Sequence, residues 1–274
     1  MIGTLFAQEY RATRKNLFTG VGIALLVAVG SFAVAALRVP VVGDLGLALG
    51  FVTTAAITPA VLGMLVENYW RTMYGREGYF TMTIPVRGRT LFTVKVLYAI
   101  VAAFVALVVT GIGLLGGIVA FSLSQGRAPG QTLTDIATGV QPWMVWFVVA
   151  ALVLQIAFLV IVGAALMSIG AEARFNHLGF GAPVLGGILF YVVAQIVTFA
   201  AILLIPVGIV FTGPEAGRLV PQSMLADFID ALGAPAGTAT PHVLGLGFVI
   251  TSILIAALMA WRGGRSVERH TSLR

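Results

Sequence analysis

Histidines and hydroxyl side chains are the first candidates for chemistry in this chain of 274 residues. The histidines, His177, His242 and His270, are widely separated in the sequence. Each lies outside the apolar segments defined below, with His177 and His270 predicted on one side of them and His242 on the other, so a shared metal ion is not expected. Ser168 and Ser252 lie inside apolar segments without a general base nearby in the sequence. We therefore predict no catalytic residue, metal site or cofactor on this chain.

Nucleotide hydrolysis by a P-loop enzyme requires a motif that can be checked directly in the sequence. A phosphate-binding loop of the P-loop type needs Gly-Lys followed by Ser or Thr. The lysines, Lys15 and Lys95, follow Arg14 and Val94 instead. If the protein moves a solute uphill, ATP and magnesium must be bound by a partner chain.

Six long apolar segments free of Asp, Glu, Lys and Arg dominate the sequence: residues 17–37, 45–66, 96–123, 143–169, 180–211 and 243–261. About 20 apolar residues in a helix cross the hydrocarbon core of a bilayer. With 59% hydrophobic and 9% charged residues, the chain has too little polar surface for a soluble fold. The sequence therefore predicts an all-α, polytopic membrane protein with six transmembrane helices in a single transmembrane domain, 1–274.

The charged residues predict an orientation. When alternate loops are assigned to alternate faces, only Arg38, Arg127 and Arg218 of the 16 basic residues fall opposite the rest. Loops rich in Lys and Arg stay in the cytoplasm, so both termini are expected there, in the cell membrane. The net charge of +6 favours anionic lipid over nucleic acid as a partner, because the basic residues are scattered along loops.

The regions outside the spans also carry predictions. Apolar residues recur at helical spacing in 1–16, which predicts an amphipathic helix in the membrane interface; an unstructured leader is the alternative. The segment 180–211 is too long for one straight crossing, and we expect it to break at Pro206. Residues 212–242 are predicted to form an external cap with short half-inserted helices, unless they are an ordinary loop.

Polar and small residues within the spans predict contacts between helices. The polar ones can form hydrogen bonds but do not titrate: Gln155, Gln195, Thr53, Thr54, Thr58, Thr110, Ser168, Thr198, Thr251 and Ser252. Gly113 and Gly117, alongside Gly111 and Gly116, would let another helix approach the third span closely.

The connection 67–95, on the basic side, is the segment that best suits a protein partner. Aromatic and charged residues crowd around Gly75 and Gly78, and such side chains are frequent anchors at interfaces. A short helix along the membrane surface, broken near one of these glycines, would present part of the set to the cytosol; a loop folded onto the headgroups is the alternative. The candidate contact residues are Tyr69, Trp70, Arg71, Tyr74, Arg76, Glu77, Tyr79 and Phe80.

Residues 74–96, YGREGYFTMTIPVRGRTLFTVKV, resemble the corresponding segment of type-2 ABC transporter permeases, the membrane subunits of ATP-driven exporters. Residues 77–79 match the acidic-glycine turn of that family, and 83–85 match its Thr-Leu-Pro-like triplet. Arg87 and Arg89 match its basic stretch, and Lys95 matches its lysine before the third span. The layout of spans and ends agrees over nearly the whole chain.

The resemblance implies that the connection 67–95 contains a coupling helix that docks on a separate nucleotide-binding ATPase. It also implies a second permease, either another copy or a related chain, in the working complex. The sparse polar residues of the spans favour an amphipathic or hydrophobic cargo. Two alternatives stay open at this point: a membrane interaction or regulatory protein without transport, and an ATP-independent channel or flippase.

Overall fold

The protein is described by a computed structural model over residues 2–75, 77–233 and 242–269. Its elements are α1 (Ile2–Ala36), α2 (Val42–Met73), α3 (Gly78–Met82), α4 (Gly88–Ser124), α5 (Pro129–Gly139), α6 (Pro142–Gly170), a 3-10 helix (Ala173–Leu178), α7 (Gly181–Leu204), β1 (Gly208–Val210), β2 (Leu219–Val220), α8 (Leu225–Gly233), β3 (Val243–Gly245) and α9 (Gly247–Arg269). Within the described residues six helices, α1, α2, α4, α6, α7 and α9, are long and apolar enough to cross a membrane. The prediction of a helical, multi-pass membrane protein is confirmed.

The first helix, α1, is continuous over 35 residues, Ile2–Ala36. The predicted interfacial helix, 1–16, and the first span, 17–37, are therefore parts of one helix, and residues 2–36 contain no proline to separate them. At 1.5 Å per residue, α1 measures about 52 Å against a hydrocarbon core of about 30 Å. A substantial part of α1 therefore extends beyond the core.

The second and third spans are also longer than the apolar segments that predict them. α2 continues past Val66 to Met73, so Tyr69, Trp70 and Arg71 belong to its last turns rather than to a loop. α4 begins at Gly88 and includes Lys95. Because helical hydrogen bonding continues beyond the membrane core, the connection between these spans is much shorter than 67–95.

The break predicted at Pro206 is confirmed, since α7 ends at Leu204. Ile205 has an extended conformation, ψ 123°, as expected for a residue before proline. The chain then enters a small antiparallel sheet of order β2-β1-β3, in which Gly208 pairs with Val220 and Gly245. This sheet was not predicted. Within the predicted cap, 212–242, the structure describes β2 and α8, and residues 234–241 lie outside the described part.

The helices form two compact units, one made of residues up to Val145 and the other of residues from Trp146 onwards. In the first unit α1, α2 and α4 pack against one another. Ala28, Phe32 and Ala120 form a buried cluster, and the Phe32 and Phe51 rings meet edge to face at 5.4 Å. The hydroxyls of Thr58 and Thr110 are 2.8 Å apart, which joins α2 to α4 by a buried hydrogen bond.

Glycines allow close approach in this unit, and the prediction for α4 is confirmed at Gly113 and Gly117 but wrong for Gly111 and Gly116. A Cβ added at Gly113 would lie 2.6 Å from the Thr54 methyl carbon, and one added at Gly117 would lie 2.6 Å from the Phe51 ring. A Cβ at Gly111 or Gly116 would meet nothing within 4 Å. The face of α4 that carries Gly113 and Gly117 is therefore the one that packs.

In the second unit, α7 packs against α9, β3 and α8. The backbone of Gly247 approaches the Ala201 carbonyl so closely that a Cβ would not fit. The Asp227 carboxylate accepts hydrogen bonds from the backbone N–H groups of His242 (2.7 Å) and Val243 (2.8 Å), which attaches the start of β3 to α8.

Candidate functional site

A tight turn at Gly75 ends α2 and leads into α3. The Gly75 N–H donates to the Trp70 carbonyl at 2.9 Å, and the Gly78 N–H donates to the Gly75 carbonyl at 3.0 Å. A Cβ at Gly75 would lie 3.0 Å from the Arg71 backbone, so a larger residue would require a shift of a few tenths of an ångström. The turn therefore places α3 close to the end of α2.

The exposed surface of α3 is aromatic. The side chains of Tyr79 and Phe80 are 69% and 76% exposed, whereas Gly78 is buried. Glu77, just before α3, forms an ion pair with Arg71 in which Nε and Oε1 are 3.3 Å apart. Both partners of this pair are substantially exposed, so it contributes at most about 1 kcal/mol to stability but orients the start of α3.

A buried ion pair lies at the same end of this unit. The Lys95 ammonium donates to the Glu9 carboxylate, with side-chain exposures of only 4% and 12%. Lys95 also donates to the Thr72 hydroxyl at 2.9 Å, and Asn68 Nδ2 donates to Glu9 Oε2 at 3.3 Å. The pair therefore connects α1, α2 and α4 through charge-assisted hydrogen bonds in surroundings that screen charge poorly.

A second polar contact lies beside this pair. The Thr13 hydroxyl donates to the Glu9 carbonyl at 2.9 Å and is also hydrogen-bonded to the Tyr98 hydroxyl. Since the Thr13 hydroxyl donates its one proton to the Glu9 carbonyl, the Tyr98 hydroxyl must be the donor to Thr13. The Tyr98 ring meets Phe6 edge to face at 5.3 Å. The first part of α1 is therefore held to the start of α4 by both polar and aromatic contacts.

A cleft of about 620 Å³ opens between these elements. Its walls come from the first part of α1, the end of α2, α3 and the start of α4. Glu9, Glu77 and Lys95 are its charged lining residues, and Phe80 and Ile84 provide apolar surface. Because Glu9 and Lys95 are already paired with each other, the cleft offers a partner an exposed carboxylate at Glu77 and apolar contacts at Phe80 and Ile84.

The predicted contact residues fall into distinct environments. Tyr69 is buried, at 6% exposed, and Trp70 and Tyr74 are half-buried with their rings 5.5 Å apart. These three residues, together with Arg71, belong to α2 or the turn after it. Glu77, Tyr79 and Phe80 are exposed. Arg76 lies outside the described residues.

Three residues at this site were missed by the sequence reasoning: Glu9, Thr72 and Lys95. The two charged residues were interpreted through their effect on topology, and Lys95 also through the resemblance. A possible signal was their position, because Glu9 interrupts the apolar face of residues 1–16 and Lys95 immediately precedes the segment 96–123. Their pairing across 86 residues could not be identified from that position alone.

A separate polar cluster lies in the second unit. The Glu172 carboxylate, 4% exposed, accepts from Arg262 at 2.5 Å, from Arg174 at 3.0 Å and from the Ser266 hydroxyl at 3.0 Å. The single proton of the Ser266 hydroxyl is shared between Glu172 and the Ser168 carbonyl, whose oxygen lies 2.9 Å away. This cluster joins the end of α6 to α9. Among the described residues, no group of three or more His, Asp or Glu side chains is placed to hold a metal ion.

Comparison of the chain with protein-family models, curated proteins and solved structures finds no match.

Proposed function

We propose that this protein is the membrane permease subunit of an ABC exporter, driven by ATP hydrolysis on a separate nucleotide-binding chain. The observation that carries the proposal is the exposed aromatic pair on α3, Tyr79 and Phe80, next to a charged cleft. The pair lies in the segment whose residues resemble the coupling region of such permeases. Exposed aromatic side chains beside a cleft are typical of the central contacts of protein interfaces.

The contacts of the first unit suggest how the partner would act on the spans. A partner that docks on α3 would move the end of α2 through the turn at Gly75 and the Glu77–Arg71 pair. The Lys95–Glu9 pair would pass this displacement to α4 and α1, because separating the two charges in a buried site is costly. The permease would convert the motion of its partner into a tilt of the spans and would perform no covalent chemistry.

The proposal also covers the assembly, its membrane orientation and its cargo. Two permeases and two ATPases would assemble in the cell membrane, with both permease termini in the cytoplasm, and an amphipathic or hydrophobic cargo would be moved outward. The apolar spans and the positions of the basic residues support this setting.

Co-purification tests the proposal. The full chain is co-expressed with P-loop ATPases from the same genome, beginning with any encoded in an adjacent reading frame. It is then extracted in detergent and assayed for bound ATPase, ATP turnover and transport of a fluorescent amphiphile into vesicles. Phe80→Ala should weaken ATPase binding by on the order of 2 kcal/mol, or about 30-fold, because it truncates an exposed aromatic anchor. Phe121→Ala is the matched control, since Phe121 is a 44% exposed aromatic at the other end of α4.

The outcomes separate the alternatives. Equal ATPase binding by wild type and Phe80→Ala would remove α3 from the proposed interface. Cargo flux in vesicles that lack any ATPase would indicate an ATP-independent channel or flippase. A stable complex in which ATP turnover moves no amphiphile would instead favour a regulatory protein.

A further inference from the structure

An apolar groove of about 250 Å³ runs along the first unit between α1 and α4. On α1 it is lined by Phe6, Tyr10, Arg14, Leu17, Phe18 and Val21. These residues lie on one face of the helix, because their spacing follows the helical repeat of three and four residues. Among the described residues that line the groove, Arg14 is the only charged one, and the others are aliphatic or aromatic.

The opposite wall explains why the groove stays open. α4 contributes Tyr98, Val101, Ala102, Val105, Ala106 and Val109. The small side chains of Ala102 and Ala106 leave space between the helices. Phe18 and Val105 are rim residues at 68% and 60% exposed, whereas Ala106 is a floor residue at 3% exposed. The groove therefore opens sideways from the spans, where the surrounding solvent is hydrocarbon.

The α4 wall of the groove has the length of one leaflet, while Phe6 and Tyr10 continue the α1 wall beyond Arg14 on the headgroup side. From Tyr98 to Val109 the α4 wall rises by about 16 Å, at 1.5 Å per residue. Half of a hydrocarbon core of about 30 Å is close to that length. Since the apolar segment of α1 begins at Leu17, Arg14 lies next to the headgroup level, at the basic end of the spans. An acyl chain anchored there would fill the groove to the middle of the bilayer.

The charge of Arg14, midway along the α1 wall of the groove, favours an anionic headgroup. Arg14 is exposed, and among residues 2–75, 77–233 and 242–269 no carboxylate forms an ion pair with it. The Tyr98 hydroxyl already donates its proton to Thr13, which leaves Arg14 as the charged donor for a headgroup. A guanidinium next to the headgroup level is complementary to a phosphate and binds it in a forked geometry.

We infer that this groove is a binding site for one acyl chain of an anionic phospholipid, with its phosphate on Arg14. The lipid comes from the leaflet on the side of the basic loops. It occupies the space between α1 and α4 next to the Thr13–Tyr98 contact, and so fills an interface that the protein itself leaves open. The inference does not depend on the proposed exporter activity.

Native mass spectrometry of the purified, delipidated full chain tests the site. The protein is incubated in detergent with phosphatidylglycerol, phosphatidylcholine or oleate, and the bound lipid is counted. Phosphatidylglycerol should bind one per chain, and Arg14→Gln should weaken it about fivefold, the equivalent of about 1 kcal/mol for one basic residue. Ala102→Phe, which fills the groove with a ring, should weaken phosphatidylglycerol and phosphatidylcholine alike.

Matched controls separate the groove from ordinary contact with lipid. Arg11→Gln removes a neighbouring charge that does not line the groove, and Val108→Phe adds a ring at a 61% exposed position of α4 outside it. Both should bind phosphatidylglycerol like wild type. Equal loss in Arg14→Gln and Arg11→Gln, or none in Ala102→Phe where the variant elutes as a folded protein, would overturn the site. Phosphatidylcholine binding to wild type as tightly as phosphatidylglycerol would overturn the assignment to an anionic lipid, and oleate doing so would overturn the assignment to a phospholipid.

Discussion

The buried pair between Lys95 and Glu9 makes the most demanding prediction about this protein. Lys95→Met keeps most of the side-chain volume but removes the ammonium, leaving a carboxylate that is only 12% exposed. Removal of one partner from a buried ion pair costs about 3–5 kcal/mol. The lower end, about 3 kcal/mol, applies because Asn68 still donates to Glu9 at 3.3 Å in the variant.

The double variant Glu9→Gln with Lys95→Met distinguishes this reasoning from a simple packing effect. With both charges removed, no unpaired ion is left in the site, so the stability should return to within about 1 kcal/mol of wild type. Unfolding free energies are measured by titrating sodium dodecyl sulfate into mixed micelles, with helical circular dichroism as the signal. The coupling energy between the two positions should exceed about 2 kcal/mol.

The matched control is the exposed pair Arg218–Glu215, at 3.1 Å with side chains 68% and 60% exposed. Arg218→Met should change the unfolding free energy by less than about 1 kcal/mol, because solvent screens such a pair. The reasoning would be refuted if the effects of Glu9→Gln and Lys95→Met were additive within about 0.5 kcal/mol. Such a result would mean that the two charges do not interact in the folded protein.

Three further predictions concern packing, hydrogen bonding and topology. Gly113→Leu should destabilise the protein by about 1–3 kcal/mol in the sodium dodecyl sulfate titration, because the new side chain would overpack against Thr54 of α2. Gly116→Leu should have little effect, because no atom of another helix lies within 4 Å of a Cβ added at Gly116. Ser266→Ala should lower the free energy of unfolding by about 1–3 kcal/mol in thermal unfolding, since it removes a donor from the buried Glu172 carboxylate. Its control is Ser124→Ala, which loses only an exposed hydrogen bond within its own helical turn. That variant should lose less than about 0.5 kcal/mol. Reporter tags on the two ends should be accessible from the same side of the membrane, and tags found on opposite sides would contradict an even number of spans.

The sequence was sufficient to predict the features that depend on local composition. Each span was found where a long charge-free apolar segment occurs, because crossing a bilayer requires hydrocarbon-soluble side chains in an unbroken helix. The end of α7 followed from Pro206, which disfavours helix at the residue before it. Tyr79 and Phe80 were expected on the exposed side of a short helix near Gly75 and Gly78, and both are exposed on α3.

Helix ends outside the membrane were predicted less well. Hydropathy marks where a helix leaves hydrocarbon but carries no information on how far it continues in water. The predicted connection 67–95 therefore contains the last turns of α2 and the first turns of α4. As a result Tyr69, which was expected at the docking surface, is buried.

What the chain determined by itself is the number of its apolar helices and the end of α7 before Pro206, since both follow from neighbouring residues. The tertiary structure alone decided which helix faces meet. Glu9 pairs with Lys95, and Gly113 rather than Gly111 contacts α2, only because of the rotation and register of helices far apart in the sequence. A change of 100° in the rotation of one helix moves every residue to a different face. For that reason the pair, the cleft and the lipid groove are properties of the packed helices.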